Sequence, residues 1–547
     1  MLSQWTPSNR LALSRSGYDP MKENTPIATS AARTGVITAT SRVIGLLRVL
    51  VISAVLGTTY LGNTFQSSNS VSNILFELLA AGGLSAVLVP ALVRTAHDDQ
   101  YTERLASGVL GVATIALGIL ALVGVLCAPL IARALTTGAP PEIAAQQLEL
   151  ATFLVRWFVP QIVLYGFAAI ATAVLHSRRR YLVAAAAPIA STAVMIACFA
   201  LFRIQAGSHP SFNIDTTSRL LLATAGTGGV LAFVATLLIP VWRAGIRLRP
   251  RTGFRDREVR ALLQHSGWGI LLNSISGLLA AALVIAGNVV AGGVVAIQVA
   301  FALFLAPYAI LSQPLAAVAL PELTDHTTSH DTSRFASTLH WTIETMCALM
   351  APATAALMIF AQPGLTGLGL GLDQRGAKLV AAALVGLALG LVPYSGFLIM
   401  ARAHYAFNDS KTPALVALLS GSVGVLVIIV TRFTLHERAL VGALGFAHSL
   451  AFAIGAVVLG ITMHRRSQSH VLTRRAFNAL TCATGSAVPV WIATTQITVH
   501  GRLQMVAYSL VGASIYFGLY ATLLRLTGFG SIRQPVDLSS SMPQPRS

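Results

Sequence analysis

Residues 33–57 read RTGVITATSRVIGLLRVLVISAVLG. The stretch is long and apolar enough to cross a bilayer as a helix, which takes about 20 such residues. Two arginines interrupt it, Arg42 and Arg48. A charge near the bilayer centre costs about 2.5–3.5 kcal/mol on insertion scales, so an intramembrane charge is functional by default. On an ideal helix the two are about 9 Å apart along the axis and about 120° apart around it. One straight helix cannot aim both at one point, and Gly45 between them offers a bend or a close approach. Guanidinium groups bind phosphate through paired hydrogen bonds, so the pair suits a phosphate-bearing ligand.

The same apolar pattern recurs along the chain. Of 547 residues, 55% are hydrophobic and 10% charged, where a soluble domain carries about 25% charged residues. The fold class is therefore an all-α polytopic membrane protein. Fourteen spans are predicted, near residues 34–56, 69–93, 105–132, 149–175, 181–202, 220–242, 261–287, 293–320, 336–361, 377–401, 412–431, 439–463, 476–498 and 503–526. Most of the 37 lysines and arginines fall in the loops on one side, including Arg178-Arg179-Arg180, the arginines from Arg243 to Arg260, Arg465, Arg466, Arg474 and Arg475. Basic loops stay cytoplasmic, which puts both termini inside. The net charge of +18 thus reflects topology and attraction to anionic headgroups, not nucleic acid.

The basic stretch 243–260 separates six spans from six, with two left over. This divides the chain into a polar cytoplasmic tail (1–32), an N-terminal lobe (33–242), a basic linker (243–260), a C-terminal lobe (261–463), a final helix pair (464–527) and a short cytoplasmic tail (528–547). The first tail has no apolar core and is not a signal peptide. Two six-span lobes suit a transporter whose site lies between them. Proline removes a backbone donor and kinks a helix. Pro307 and Pro314 share the eighth span and, with Gly45, are the predicted hinge or gate positions.

No enzyme constellation is present. There is no phosphate-binding glycine loop and no paired metal motif, and Cys127, Cys198, Cys347 and Cys482 stand alone in apolar spans. No metal or cofactor is expected. Glu77 is the local counter-ion for Arg42 or Arg48, or a ligand or proton carrier in its own right. Asn63, Gln66, Asn69 and Asn73 add a polar rim, from which Asn63 and Asn73 join the arginines and Glu77 as predicted substrate-binding residues. His340 and Glu344, at i and i+4, suit either a proton relay or an interfacial position.

The ordered motifs resemble the MurJ/MviN family of lipid II flippases, within the superfamily of multidrug and oligosaccharidyl-lipid exporters. Ser41-Arg42-Val43-x-Gly45-x-x-Arg48 resembles the family's first helix. Gly57, Phe65, Ala81-Gly82-Gly83-x-Ser85 and Val89-Pro90 follow at family spacing. Leu175 to Pro188, Pro307-Tyr308, Leu320-Pro321-x-Leu323 and Tyr405-x-x-x-Asp409-x-Lys411-Thr412-Pro413 extend the likeness over roughly 34–500. The resemblance implies a V of two six-helix lobes around a cationic cavity, with the last two helices adding a groove for a polyprenyl tail. It implies lipid II, an undecaprenyl diphosphate-linked peptidoglycan precursor, as the substrate moved from inner to outer leaflet of the bacterial cytoplasmic membrane. Arg42 and Arg48 match the arginines that the family uses on the diphosphate. Membrane lipids and proteins of cell-wall synthesis and division are the other implied partners. The chain departs from the pattern at Asn63, where many members have an acid, at Phe76, where they have an arginine, and at Ala302 and Leu305, which replace an expected Arg and Glu. In this it resembles the actinobacterial branch, without that branch's pseudokinase extension. Other readings of the same residues are an exporter of another lipid-linked glycan or of a drug, and a non-transporting scaffold for wall synthesis.

Overall fold

A computed structural model of the chain describes residues 44–76, 92, 98–178, 180–207, 210–251, 253, 256, 259, 267–369, 371–467, 471–496 and 501–528, without the side chains of 267–275. Among these no strand occurs. The helices are α1 (Ile44–Leu56), α2 (Tyr60–Phe76), α3 (Asp99–Leu126), α4 (Ala128–Leu135), α5 (Pro141–Phe158), α6 (Gln161–Ser177), α7 (Tyr181–Ala206), α8 (Thr216–Arg243) and α9 (Gly267–Gly287). There follow α10 (Gly293–Pro307), a π turn (Tyr308–Ser312), α11 (Gln313–Thr328), α12 (Thr332–Leu368), α13 (Gln374–Ala388), α14 (Leu391–Ala406), α15 (Lys411–Thr434), α16 (Glu437–Ser467), α17 (Arg474–Gln496) and α18 (Arg502–Leu526).

Ten spans among the described residues are long and apolar enough to cross a membrane, or eleven with the pair α13 and α14, which is bent by 43°. Of the three remaining predicted spans, the first and seventh overlap α1 and α9, whereas the second, 69–93, shares only 69–76 with α2, which begins at Tyr60. Arg42, Glu77 and the glycine-rich motif after it lie outside the described residues.

Local chemistry explains where the helices start and break. Asp98, Asp215, Asp331 and Asp373 each accept a backbone N–H from the first turn of α3, α8, α12 and α13. Such a cap is worth about 1 kcal/mol. Pro160 separates α5 from α6 inside one long span. Pro307 ends α10 and Pro314 lies in the first turn of α11, so the π turn falls between two residues that cannot donate to the helix ladder. A π turn absorbs such an interruption without unravelling the span.

Two packed groups result. In the first, Phe65 of α2 meets Phe158 and Phe199 edge-on at 5.7 and 5.1 Å, and α3, α6 and α8 bury Leu110, Ile162 and Leu237. In the second, α10 and α12 to α16 bury Phe304, Phe335, Leu387 and Leu444. Helix α1 serves both: Val51 and Val55 pack on the first group, Val49 and Leu50 on the second. Helices α17 and α18 dock on α12, where Thr473 donates to Glu344 at 2.7 Å and Tyr520 to the Ala348 carbonyl at 2.8 Å. Of the expected proton-relay pair, Glu344 is thus engaged in holding the start of α17. Large apolar side chains such as Phe433, Leu503 and Leu510 remain exposed on the outer helix faces, as expected of a surface solvated by lipid.

Candidate functional site

The tight turn from α1 to α2 marks one end of the bundle, the turn end. Gly57 takes φ of +70° there, a conformation that costs a residue with a Cβ about 1–2 kcal/mol. Arg48 lies nine residues from that turn, about 13 Å along the helix. It is partly buried, and no described carboxylate pairs with it. It couples electrostatically to the Tyr165 hydroxyl of α6, and the Tyr165 ring packs 5.5 Å from Phe76. The guanidinium therefore sits at the meeting of α1, α2 and α6 without a neutralising partner among the described residues. A Cβ added at Gly45 would meet open space, so Gly45 is not a close-packing contact.

Hydrogen bonds fasten the two lobes together at the turn end. Asn63 is fully buried. Its amide donates to the Val290 carbonyl at 2.7 Å, and its oxygen accepts the Val294 and Val295 N–H groups at 3.0 and 3.4 Å. Those N–H groups belong to the first turn of α10, which has no internal partner for them. Asn63 caps a helix of the opposite lobe, and its described bonds all go to that lobe's backbone, away from the cavity lining. Thr58 donates to Asp373 at 3.0 Å, Tyr60 to the Val289 carbonyl at 3.2 Å and Arg432 to the Thr137 carbonyl at 3.3 Å.

Beneath this seal lies a cavity of about 440 Å³ between α2, α9, α10, α14 and α16. Asn73 and Ser70 of α2 line it, as do Ser276, Gln298 and His448. The Gln298 amide donates to the Ser70 hydroxyl at 3.2 Å and closes its roof across the lobes. Asn73 is exposed to this space, so the structure brings Asn73 to the cavity and not Asn63. Leu305, in place of the family's charged residue, lines the same wall. No charged side chain is among the lining residues described. Arg48 is not among those lining residues.

The sequence reading missed His448. Its ring is walled by Phe452, Phe301 and Phe304 at 4.8, 5.4 and 5.7 Å. Its Nδ1 is buried with no partner, which costs about 1–3 kcal/mol. The available signal was a lone histidine inside an apolar span.

A second cavity, about 780 Å³, opens between α12, α13, α14 and α17. Its lining is almost wholly apolar, with Met358, Ile359, Leu389, Val392, Leu480 and Val488 along its length. Its shape and chemistry suit a hydrocarbon chain.

Residues 52–513 match the sequence model of the family described as "Lipid II flippase MurJ". The chain belongs to the MurJ family. A probable lipid II flippase MurJ of Vibrio cholerae is 26% identical over 395 residues, 69% of this chain and 72% of the relative. One of Rhizobium tropici is 25% identical over 538 residues, 94% and 97% of the two chains. A solved lipid II flippase MurJ in an inward closed conformation superposes with a TM-score of 0.72 at 15% identity, covering 90% of this chain and 99% of that one. An inward-facing multidrug transporter of the MATE family gives 0.61 at 13% identity, with 80% and 99% covered.

The MurJ-type motif at Tyr405 to Pro413 forms the joint between α14 and α15 at the end opposite the turn. Asp409 accepts the Thr412 N–H at 3.0 Å and the Thr412 hydroxyl at 2.7 Å, and pairs with Arg466 at 3.1 Å. The Arg466 guanidinium lies over the Phe407 ring at 5.3 Å. Burial alone pushes the Asp409 carboxyl up, but the Thr412 bonds and Arg466 outweigh it and hold the group below the usual carboxylate range. This motif is a joint between two helices and the end of α16, not part of the cavity.

Proposed function

We propose that this protein carries lipid II, the undecaprenyl diphosphate-linked peptidoglycan precursor, from the inner to the outer leaflet by alternating access of its two lobes. The observation that carries the reading is Arg48, a partly buried arginine within a membrane helix that pairs with no described carboxylate. Its two-pronged donor set fits a diphosphate, and the apolar groove fits the polyprenyl chain. The lipid head then crosses in a wet cavity while its tail stays in hydrocarbon, which avoids dehydrating the head. The positive-inside rule orients the chain with the turn end outside, in the bacterial cytoplasmic membrane with both termini in the cytoplasm. Wall-synthesis and division proteins are its natural neighbours there.

A cavity of 440 Å³ lies near the small end of the range for ligand sites, about 300–1,000 Å³. A disaccharide-peptide head therefore requires the lobes to part. The π turn between Pro307 and Pro314 is the hinge we assign to that motion, and Asn73 is a polar contact for the head. Arg42 and Glu77 are assigned to the same site from their motif. A cationic drug is disfavoured as cargo, because Arg48 repels it and no described acid attracts it.

The test is lipid II movement in proteoliposomes, read as the fraction accessible from outside. Arg48→Ala is expected to slow it by about tenfold to a hundredfold, the weight of a charge-assisted bond of 1.5–3 kcal/mol, while Arg48→Lys is intermediate. Movement by Arg48→Ala at the wild-type rate sinks the role of Arg48. No movement by the wild-type protein sinks the function.

A further inference from the structure

The apolar groove does not end in hydrocarbon. At the turn end it continues, through Met358, Ile359, Val385 and Trp491, into a cavity of about 680 Å³ between α12, α13, α16, α17 and α18. The walls of this mouth include Lys378, Arg438, Gln362 and Tyr508.

Its cations are left without acids. Glu437 pairs with Arg375 at 3.8 Å. Asp373 accepts from Thr58 and from the Gly376 N–H at 2.8 Å. Lys378 pairs with no described carboxylate, and Arg438 donates to the neutral Gln362 amide at 3.2 Å. The Tyr508 hydroxyl is buried in the same wall with no partner. Arg438 also stands in the first turn of α16, and Lys378 one turn into α13. A cation in the first turn opposes the helix dipole, at a cost of about 0.3–1 kcal/mol. Two cations without a described acid and an idle hydroxyl thus converge where an apolar channel ends, and all of them favour an anion.

We infer that this mouth is a second phosphate seat, which holds the diphosphate head of the polyprenyl lipid at the turn-end leaflet while its chain lies in the adjoining groove. Two unpaired cations match a diphosphate better than the single charge of a phosphodiester lipid. The seat is built from the C-terminal lobe and the last two helices, so it is separate from Arg48, which lies against α6. The lipid's identity and the leaflet rest on the function proposed above. In the transport cycle the seat receives the head after it has left the central cavity, which keeps it from returning.

The test is native mass spectrometry on the full chain, with undecaprenyl diphosphate and dioleoyl phosphatidylglycerol as separate probes. It is done in the Arg48→Ala background, so that the central site does not contribute. The double variant Lys378→Gln/Arg438→Gln is expected to weaken undecaprenyl diphosphate by at least about tenfold, the weight of two interfacial cations, and phosphatidylglycerol much less. The charge-preserving pair Lys378→Arg/Arg438→Lys is expected to retain binding, which separates lost charge from lost fold. Unchanged undecaprenyl diphosphate binding by the double Gln variant overturns the seat. Equal loss of both lipids overturns the diphosphate assignment. Wild-type protein that shows this cation-dependent binding yet moves no lipid II supports the seat and sinks the transport function instead.

Discussion

Asn63 does at the residue scale what its sequence context hides. A polar residue in a span reads as a ligand, because unsatisfied amides are costly in hydrocarbon. Here every bond of that amide goes to the backbone of the opposite lobe. Single polar contacts in membrane proteins average about 0.6 kcal/mol, but removing this one strands the Val294 and Val295 N–H groups, whereas the Val290 carbonyl keeps the Gly293 N–H. The larger cost of about 1–3 kcal/mol for an unsatisfied group therefore governs. Asn63→Ala is expected to lower the melting temperature in detergent clearly, and an unchanged Tm would contradict the fastener role. An acid at this position would keep the two accepted bonds and lose the donated one. His448 is the reverse case. It is a cavity residue by structure, yet one histidine among apolar neighbours gives the sequence no pattern to signal its role.

At the scale of elements, the α14–α15 joint couples a short motif to a titration. The carboxyl of Asp409 is held below its ordinary value in the folded chain. A group depressed on folding stabilises above its unfolded pKa, and the contribution disappears as pH falls through the folded one. The window is therefore below about pH 4, the unfolded value for Asp. At pH 7, Asp409→Asn keeps an acceptor for Thr412 but removes the charge that faces Arg466, and is expected to cost about 0.2–1 kcal/mol, the value of a partly exposed ion pair. The Tm gap to wild type should close as pH is lowered below 4, and a gap that stays constant with pH would remove the charged cap as its cause. The spans themselves were legible in the sequence because each requires about 20 apolar residues, a signal that survives without partners. The breaks within them were legible only in part. Pro307 and Pro314 flagged a disturbed span, but whether it resolves as a kink, a gap or a π turn depends on packing against α12 and α14. Helix α4 escaped notice because eight residues between Cys127 and Thr136 add no period of their own to the span before them.

At the scale of the whole molecule, the fasteners at the turn end decide what can move. Thr58, Tyr60, Asn63 and Arg432 reach across the lobes there, whereas ion pairs such as Arg178–Asp99 and Arg466–Asp409 at the opposite end stay within one lobe. Alternating access therefore requires the turn-end bonds to break in each cycle. Each is an exchangeable hydrogen bond of net about 0.5–1.5 kcal/mol, weak enough to open together under a modest driving force. A covalent bond in the same place is not. The Thr58 hydroxyl and the Asp373 carboxylate are 3.0 Å apart, a reach that two cysteines can span if the backbone adjusts to disulfide geometry. The four native cysteines are free; Cys198, Cys347 and Cys482 are buried, and the partly buried Cys127 between α3 and α4 is replaced by Ser for this test. Thr58→Cys/Asp373→Cys is expected to move lipid II when reduced and to stop when oxidised, with activity restored by reductant. Each single variant should be insensitive to oxidant. Full transport by the oxidised, mass-verified double variant would mean that the turn end never opens. The lobes would then have to release the lipid sideways, and alternating access across this seal would be wrong.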